Sequence, residues 1–209
     1  MYKHIPVSTD GSKLSGKAIR TAVKLADATG AKVTGLYVIA QFVAPAYGEA
    51  RLANELRSHA VATASASPFF LRMLANEVER AEAPIGVLGG FDLEDGRLGL
   101  KLFGLLPLVN AARVMALKAK TESPATADRL AELARREMIV EADAVEIRDF
   151  LEFFMTLLLE QQLFDLSENR PASSKIDPAR FKRARINRLK AGLKHVRILK
   201  SMVAHVLGH

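Results

Sequence analysis

Several residue types and patterns are missing from this chain of 209 residues. It contains no cysteine, which excludes disulfide bonds, thiolate metal ligands and a cysteine nucleophile. No run approaches the roughly 18 uninterrupted apolar residues that a membrane-spanning helix requires, so we expect no membrane partner. The first residues, MYKHIPVSTDGS, lack the basic and apolar regions of a signal peptide. These absences together predict a cytoplasmic protein.

The composition is that of a globular protein, with 49% apolar and 25% charged residues. The net charge of +7 is unevenly distributed. Residues 178–209 carry nine Lys and Arg and no acid, whereas residues 141–169 carry eight Asp and Glu and one Arg. A basic segment of this kind can bind nucleic acid or another anionic partner. The alternative, that a basic helix and an acidic helix face each other, stays open.

Residues 1–48 alternate between strand and helix patterns. YKHIPVS favours a strand, and the turn TDGS can cap a helix. The next 18 residues, KLSGKAIRTAVKLADATG, place apolar side chains at helical spacing and end at Gly30. AKVTGLYVIA favours a second strand. This order predicts a βαβ fragment with parallel strands.

The same residues resemble the N-terminus of the universal stress protein family, through YKHI, TDGS and ATGAKVTGLYVI. In ATP-binding members, the resemblance implies that Asp10 and a residue near Val38 help to hold the nucleotide. Gly86, Gly89 and Gly99 repeat the spacing of the family's phosphate loop, but Leu100 stands where the family has Ser or Thr. We therefore expect no bound cofactor, and ATP at Asp10 and Val38 is the alternative.

The remainder of the chain reads mainly as amphipathic helices. The apolar spacing predicts helices over about 49–64, 67–81, 104–120, 126–138, 139–169 and 178–207, and a β-hairpin around the EDG turn within about 86–103. The predicted fold is mainly α, a helical bundle with one hairpin preceded by a small βαβ fragment, α+β overall. We divide it into segments 1–45 and 46–209. We expect the open strand edges of the first segment to pair with the bundle, or with a second copy in a homodimer.

Residues 46–209 resemble the substrate-binding domain that follows the nucleotidyltransferase domain in bacterial signal-transduction proteins. The resemblance rests mainly on LKLFGLLPLVNAARVMAL and IDPARFKRARINRLKAGLKHVRILKSMV. Such proteins often carry CBS or cyclic-nucleotide-binding modules, and their catalytic part is similar to the PII-protein uridylyltransferase. The resemblance implies a domain that binds a substrate or partner. One departure is LLLEQQLF, where the family often has basic and histidine residues before the Gln.

The catalytic pattern of a nucleotidyltransferase is missing from the sequence. Such a site needs a Gly-Ser turn and a pair of carboxylates that hold two Mg²⁺ ions. The pairs Asp92 with Glu94 and Glu141 with Asp143 have a similar spacing, but neither follows a Gly-Ser turn. We therefore predict no catalytic residue and no metal site in this chain. Mg²⁺ would be bound only by a partner catalytic domain, supplied in trans by a nucleotidyltransferase or another signalling protein.

Basic side chains are the candidate contacts for an anionic ligand or a partner protein. The candidates are Lys101, Arg113, Arg183, Arg185, Lys190 and Arg197. A third hypothesis uses a different pair, Arg188 and His195, whose spacing is similar to the Arg–His motif of helical ribonucleases of the HEPN type.

Overall fold

The computed structural model describes residues 4–9, 21–24, 26–27, 30, 32–37, 50–87 and 89–208. Asp10 and Val38, the predicted nucleotide contacts, lie outside these ranges. The strands are β1 (His4–Thr9) and β2 (Lys32–Tyr37). The helices are α1 (Ala50–Ser65), α2 (Pro68–Glu79), a π-turn (Lys101–Leu105), α3 (Leu106–Lys118), α4 (Thr126–Arg135), α5 (Glu141–Ser167), a 3-10 turn (Pro178–Arg180), α6 (Arg183–Lys194) and α7 (Val196–Leu207).

The mainly α part of the predicted fold is confirmed, but the α+β class with its hairpin is wrong. Within 85–98 the described residues form isolated bridges, Ile85 with Phe91 and Glu94 with Arg97, and no hairpin strands. β1 and β2 pair in parallel, from His4 opposite Lys32 to Thr9 opposite Tyr37. Most of the connection between them lies outside the described residues, so a complete βαβ fragment is not seen.

The core of the bundle is built around α3. Its residues Leu108, Val109 and Met115 are fully buried, and it contacts α2, α4 and α7. The long helix α5 packs on α4 and fills the centre with Phe154, which is also fully buried. Burial of large apolar side chains is the main favourable contribution to folding. The amphipathic spacing of the sequence therefore identifies the elements that make this core.

The prediction of one continuous helix over 178–207 is wrong, because the helix is interrupted at His195. A 3-10 turn comes first, and α6 and α7 then meet at this histidine. Helix α6 lies against α5, where a side chain at Gly192 would come within 2.7 Å of ring atoms of Phe150 and Phe154. Helix α7 instead contacts α2 and α3. The break lets the two halves cover different parts of the core.

Two features are absent from the described part of the chain. None of its helices is long and apolar enough to cross a membrane. Nor do any three of its His, Asp or Glu side chains come close enough together to hold a metal ion.

Candidate binding groove

A groove of about 530 Å³ lies beside the start of the π-turn. One wall is the segment 92–106 and the other is the loop that contains Ser174 and Lys175. Most of its lining is apolar, with charged side chains among it. The lining residues are Asp92, Leu93, Glu94, Arg97, Gly99, Lys101, Leu102, Phe103, Leu106, Ser174 and Lys175.

The π-turn determines which side chains reach this groove. The N–H of Leu106 donates to the carbonyl of Lys101, one residue further back than in an α-helix. We attribute the wider turn to Pro107, which has no N–H and whose ring would clash with the carbonyl of Phe103 in a regular helix. The turn places Lys101, Leu102 and Phe103 along the groove. Such π-turns are frequent at functional sites.

Gly104 allows the π-turn to lie close to α5. A Cβ at this position would come within 2.9 Å of Leu100 Cδ1 and 3.0 Å of Phe154 Cδ2. Contacts this short would force one of the side chains to move. The absence of a side chain at Gly104 therefore allows the π-turn to pack closely against Phe154 of the core.

A buried ion pair lies beneath the groove. Both terminal nitrogens of Arg97 donate to Asp165, at 3.0 Å to Oδ2 and 2.8 Å to Oδ1. Asp165 also accepts from Gln161 Nε2 at 3.0 Å and from the backbone N–H of Ser173 at 3.3 Å. Its side chain is 0% exposed. The carboxylate thus connects the 92–106 segment, α5 and the loop after α5.

The ion pair also sets the ionisation of its two members. Burial on its own would raise the pKa of Asp165, but the hydrogen bonds from Arg97 and Gln161 outweigh burial and hold that pKa below its ordinary value. The hydrogen bond with Asp165 in turn raises the pKa of Arg97. Both side chains are therefore charged at neutral pH.

Backbone contacts hold the second wall in place. Leu98 and Ile176 exchange N–H···O hydrogen bonds of 2.8 and 2.9 Å. Gln161 Oε1 accepts from the N–H of Asp177 at 3.0 Å, and Gln162 Nε2 donates to the carbonyl of Ser173 at 3.2 Å. The walls are therefore fixed relative to each other by bonds between residues far apart in the chain.

The charges at the rim of the groove are of both signs. Lys175 Nζ lies 2.8 Å from Glu94 Oε1, and Asp92 is exposed. Leu102 is 58% exposed beside them. An apolar lining with a mixed rim can contact a ligand or protein segment that carries both polar and apolar groups.

The predicted basic contacts do not all line the groove. Lys101 lines the groove, and Lys190 Nζ lies 5.3 Å from the centre of the ring of Phe91, which precedes Asp92 of the groove. Arg183 and Arg197 are exposed on α6 and α7, and neither lines the groove. Their roles stay predictions.

Arg185 and Arg113 lie in different surroundings again. Arg185 donates to Glu160 of α5 at 2.7 and 2.8 Å, which is the pairing of basic and acidic helices that the charge pattern left open. Arg113 is half-buried on α3 and donates to Asn110 at 3.3 Å. Burial lowers the pKa of Arg113. Burial, and then the charge of Arg113, lower the pKa of Arg129 to about 10.

The Arg188 and His195 pair has poor geometry for ribonuclease chemistry. Arg188 Cζ lies 4.6 Å from the centre of the Phe153 ring. His195 is buried against Phe150, and its Nε2 has no hydrogen-bond partner among the described residues. Its Nδ1 lies 3.8 Å from Glu146 Oε2. An imidazole buried in this way does not reach an RNA backbone, whereas a general base must lie within hydrogen-bond distance of its substrate.

Sequence reasoning missed the residues that build the groove. Arg97, Gln161 and Asp165 were not among its candidates. The available signal was the polar set Gln161, Gln162 and Asp165, which interrupts the apolar face of the second half of α5. Buried polar side chains of this kind need hydrogen-bond partners, but the sequence does not say that Arg97 is the partner.

Comparison with known protein families gives two matches. The model described as "Putative nucleotidyltransferase substrate binding domain" matches residues 68–207. The universal stress protein family matches residues 1–88. Both resemblances seen in the sequence are thereby confirmed, and the two matches share residues 68–88. No curated protein and no solved structure matches the chain.

Proposed function

This chain belongs to the family of nucleotidyltransferase substrate binding domains, and from that premise we propose that it binds a substrate or partner for a nucleotidyltransferase whose catalytic domain is on another polypeptide. The observation that carries the proposal is the groove beside the π-turn, with walls fixed through Asp165. As in the proteins that the sequence resembles, we propose that this binding serves bacterial signal transduction in the cytoplasm.

The positions of the spaced carboxylates support a non-catalytic role. Glu94 is paired with Lys175, and Glu141 and Asp143 lie in the first turn of α5. Acidic residues at a helix N-terminus stabilise the helix through its dipole. Glu94, Glu141 and Asp143 therefore have structural explanations that need no metal ion.

The groove provides the contacts that a binding role requires. Its exposed Leu102 and the neighbouring Phe103 provide apolar area, and Lys101 can contact an anionic group. Exposed apolar residues rimmed by charges are typical of interaction sites. We propose that the substrate of the transferase, or the transferase itself, contacts this surface.

Site-specific crosslinking tests the proposal. A photoreactive amino acid replaces Leu102 in the full chain, and in a matched control it replaces Ile198, which is also exposed but lies on α7 away from the groove. We expect the Leu102 position, and not the Ile198 position, to crosslink in cells to a protein that carries a Gly-Ser turn followed by paired carboxylates, or to a protein that such a transferase modifies. Equal crosslinking from both positions, or crosslinks only to proteins that neither carry that motif nor are modified by a protein that does, would contradict the proposal.

ATP binding by the N-terminal segment is a second candidate, because the universal stress protein match covers residues 1–88. Asp10 and Val38 would contact the nucleotide. Calorimetry with ATP on the full chain tests it, with Asp10→Ala as the variant and Asp27→Ala as the control. Saturable binding that only Asp10→Ala removes would support this candidate. Absence of saturable binding, or equal loss in both variants, would exclude it.

A further inference from the structure

Two arginine guanidinium groups lie over one aromatic ring at the end of α5. Arg180 Cζ lies 3.4 Å from the centre of the Phe164 ring, and Arg170 Cζ lies 5.4 Å from it. Arg180 Nη1 also donates to Gln161 Oε1 at 3.2 Å, and Arg170 Nη2 lies 3.7 Å from Asp165 Oδ1. Both guanidinium groups are therefore held in defined positions. We call Arg170, Phe164 and Arg180 the arginine clamp.

Two carboxylates near the clamp are already engaged. Asp165 is bidentate with Arg97 and also accepts from Gln161 and the N–H of Ser173. The charge of Asp177 helps to raise the pKa of Arg97. Asp177 Oδ1 also accepts a hydrogen bond from the N–H of Ala179 at 3.0 Å. Arg97 and Arg170 thus share the single carboxylate of Asp165. The clamp carries the excess of positive charge.

The donors of the clamp face solvent. The Arg170 side chain is 49% exposed, and its contact with Asp165 is longer than a hydrogen bond. Arg180 is exposed and uses one of its N–H groups on Gln161. A guanidinium offers several N–H donors in a fixed plane. The remaining N–H groups can therefore donate hydrogen bonds to a ligand that has several acceptor oxygens.

Stabilisation of the C-terminus of α5 does not account for the whole arrangement. A cation near a helix C-terminus is favourable, and either arginine alone would provide one. Two guanidinium groups near one ring repel each other, whereas an anion that contacts both would offset that repulsion. Stacking on the ring also reduces the side-chain freedom that would be lost on binding. The positions of the two guanidinium groups therefore favour the binding of an anion.

We propose that the arginine clamp binds the phosphate groups of a polyphosphate, either free pyrophosphate or the phosphate chain of a nucleotide. Arginine matches phosphate oxygens with paired N–H donors, and charge-assisted bonds of this kind are stronger than neutral ones. The clamp residues lie outside the groove lining. Phosphate binding by the clamp therefore does not depend on which partner the groove binds.

Isothermal titration calorimetry on the full chain tests the proposal, with pyrophosphate, ATP and adenosine as probes. An Asp10→Ala background removes the predicted ATP contact of the N-terminal segment. We expect pyrophosphate and ATP to bind and adenosine not to bind. Arg170→Gln and Arg180→Gln should each weaken pyrophosphate binding by about tenfold, because each removes a charge-assisted contact. Phe164→Leu, which keeps both charges, should also weaken it.

The matched control is Arg72→Gln, which removes an equal charge from an exposed position on α2. Unchanged affinity in this variant would support a specific clamp, provided that circular dichroism shows all variants to be folded. Equal weakening by Arg72→Gln would show binding to net positive charge and overturn the proposal. So would an absence of pyrophosphate binding, or full affinity in Phe164→Leu.

Discussion

Replacing Arg97 by methionine would leave Asp165 buried without its main partner. The methionine keeps apolar length but donates no hydrogen bond, and the Asp165 side chain is 0% exposed. Removing one partner of a buried ion pair typically costs about 3–5 kcal/mol, because the remaining charge is desolvated and uncompensated. We expect the free energy of unfolding to fall by at most this amount, because Asp165 keeps its contacts with Gln161, the N–H of Ser173 and Arg170. Urea unfolding followed by far-UV circular dichroism measures it.

A second arginine pair provides the matched control for burial. Arg185 donates to Glu160 at 2.7 and 2.8 Å, nearly the same geometry as Arg97 with Asp165. The side chains of this second pair are 36% and 42% exposed, against 24% and 0% for Arg97 and Asp165. Exposed pairs contribute only about 0.2–1 kcal/mol. Arg185→Met should therefore cost much less than Arg97→Met.

The cost of Arg97→Met should also depend on pH in a defined direction. In the intact chain the pKa of Asp165 is lowered, so its stabilising contribution is present above the ordinary pKa of about 3.9 and is lost below it. Loss of Arg97 raises that pKa, so the variant protonates Asp165 at a higher pH than the intact chain does. The difference in stability between the two chains should therefore shrink as the pH falls toward and below the ordinary pKa of about 3.9.

Two results would refute this reasoning. Equal costs for Arg97→Met and Arg185→Met would show that burial does not determine the strength of the pair. A cost that stays constant or grows on acidification would show that the ionised form of Asp165 is not what Arg97 stabilises.

Two further substitutions test the packing and the start of a helix. Gly192→Ala places a Cβ within 2.7 Å of the rings of Phe150 and Phe154, and overpacking should lower the free energy of unfolding by about 1–3 kcal/mol. Thermal unfolding measures this loss. In the control Gly90→Ala the new Cβ has no atom within 4 Å, so stability should change little. Ser67→Ala removes the acceptor for the N–H of Phe70, now at 3.3 Å, and should cost about 1 kcal/mol in urea unfolding, a result that an unchanged midpoint would contradict.

Helical periodicity predicted most elements of the bundle because each helix buries one apolar face. The predicted helices at 49–64, 67–81 and 126–138 agree with α1, α2 and α4 to within three residues at either end. The same method missed the break at His195. Apolar residues continue at spacings of three and four on both sides of it, so the pattern does not reveal that the two halves contact different helices.

The hairpin prediction failed for a different reason. The EDG turn forms, since Asp95 and Gly96 both have positive φ and Glu94 and Arg97 exchange backbone hydrogen bonds. The next residue, Leu98, pairs with Ile176 rather than continuing the hairpin. Local turn chemistry was thus predictable, whereas the long-range partner was not. The same limit applies to the site, because Arg97 and Asp165 are 68 residues apart.

The acidic helix α5 does not pair with every basic residue near the end of the chain, because some of these residues contact aromatic rings instead. Arg185 pairs with Glu160, but Arg188 and Arg180 lie over the rings of Phe153 and Phe164. An aromatic ring attracts a cation through its quadrupole without contributing a negative charge. The positive potential therefore persists at the surface, where it can attract an anion. Because salt screens exposed charges, binding that depends on this potential should weaken as ionic strength rises.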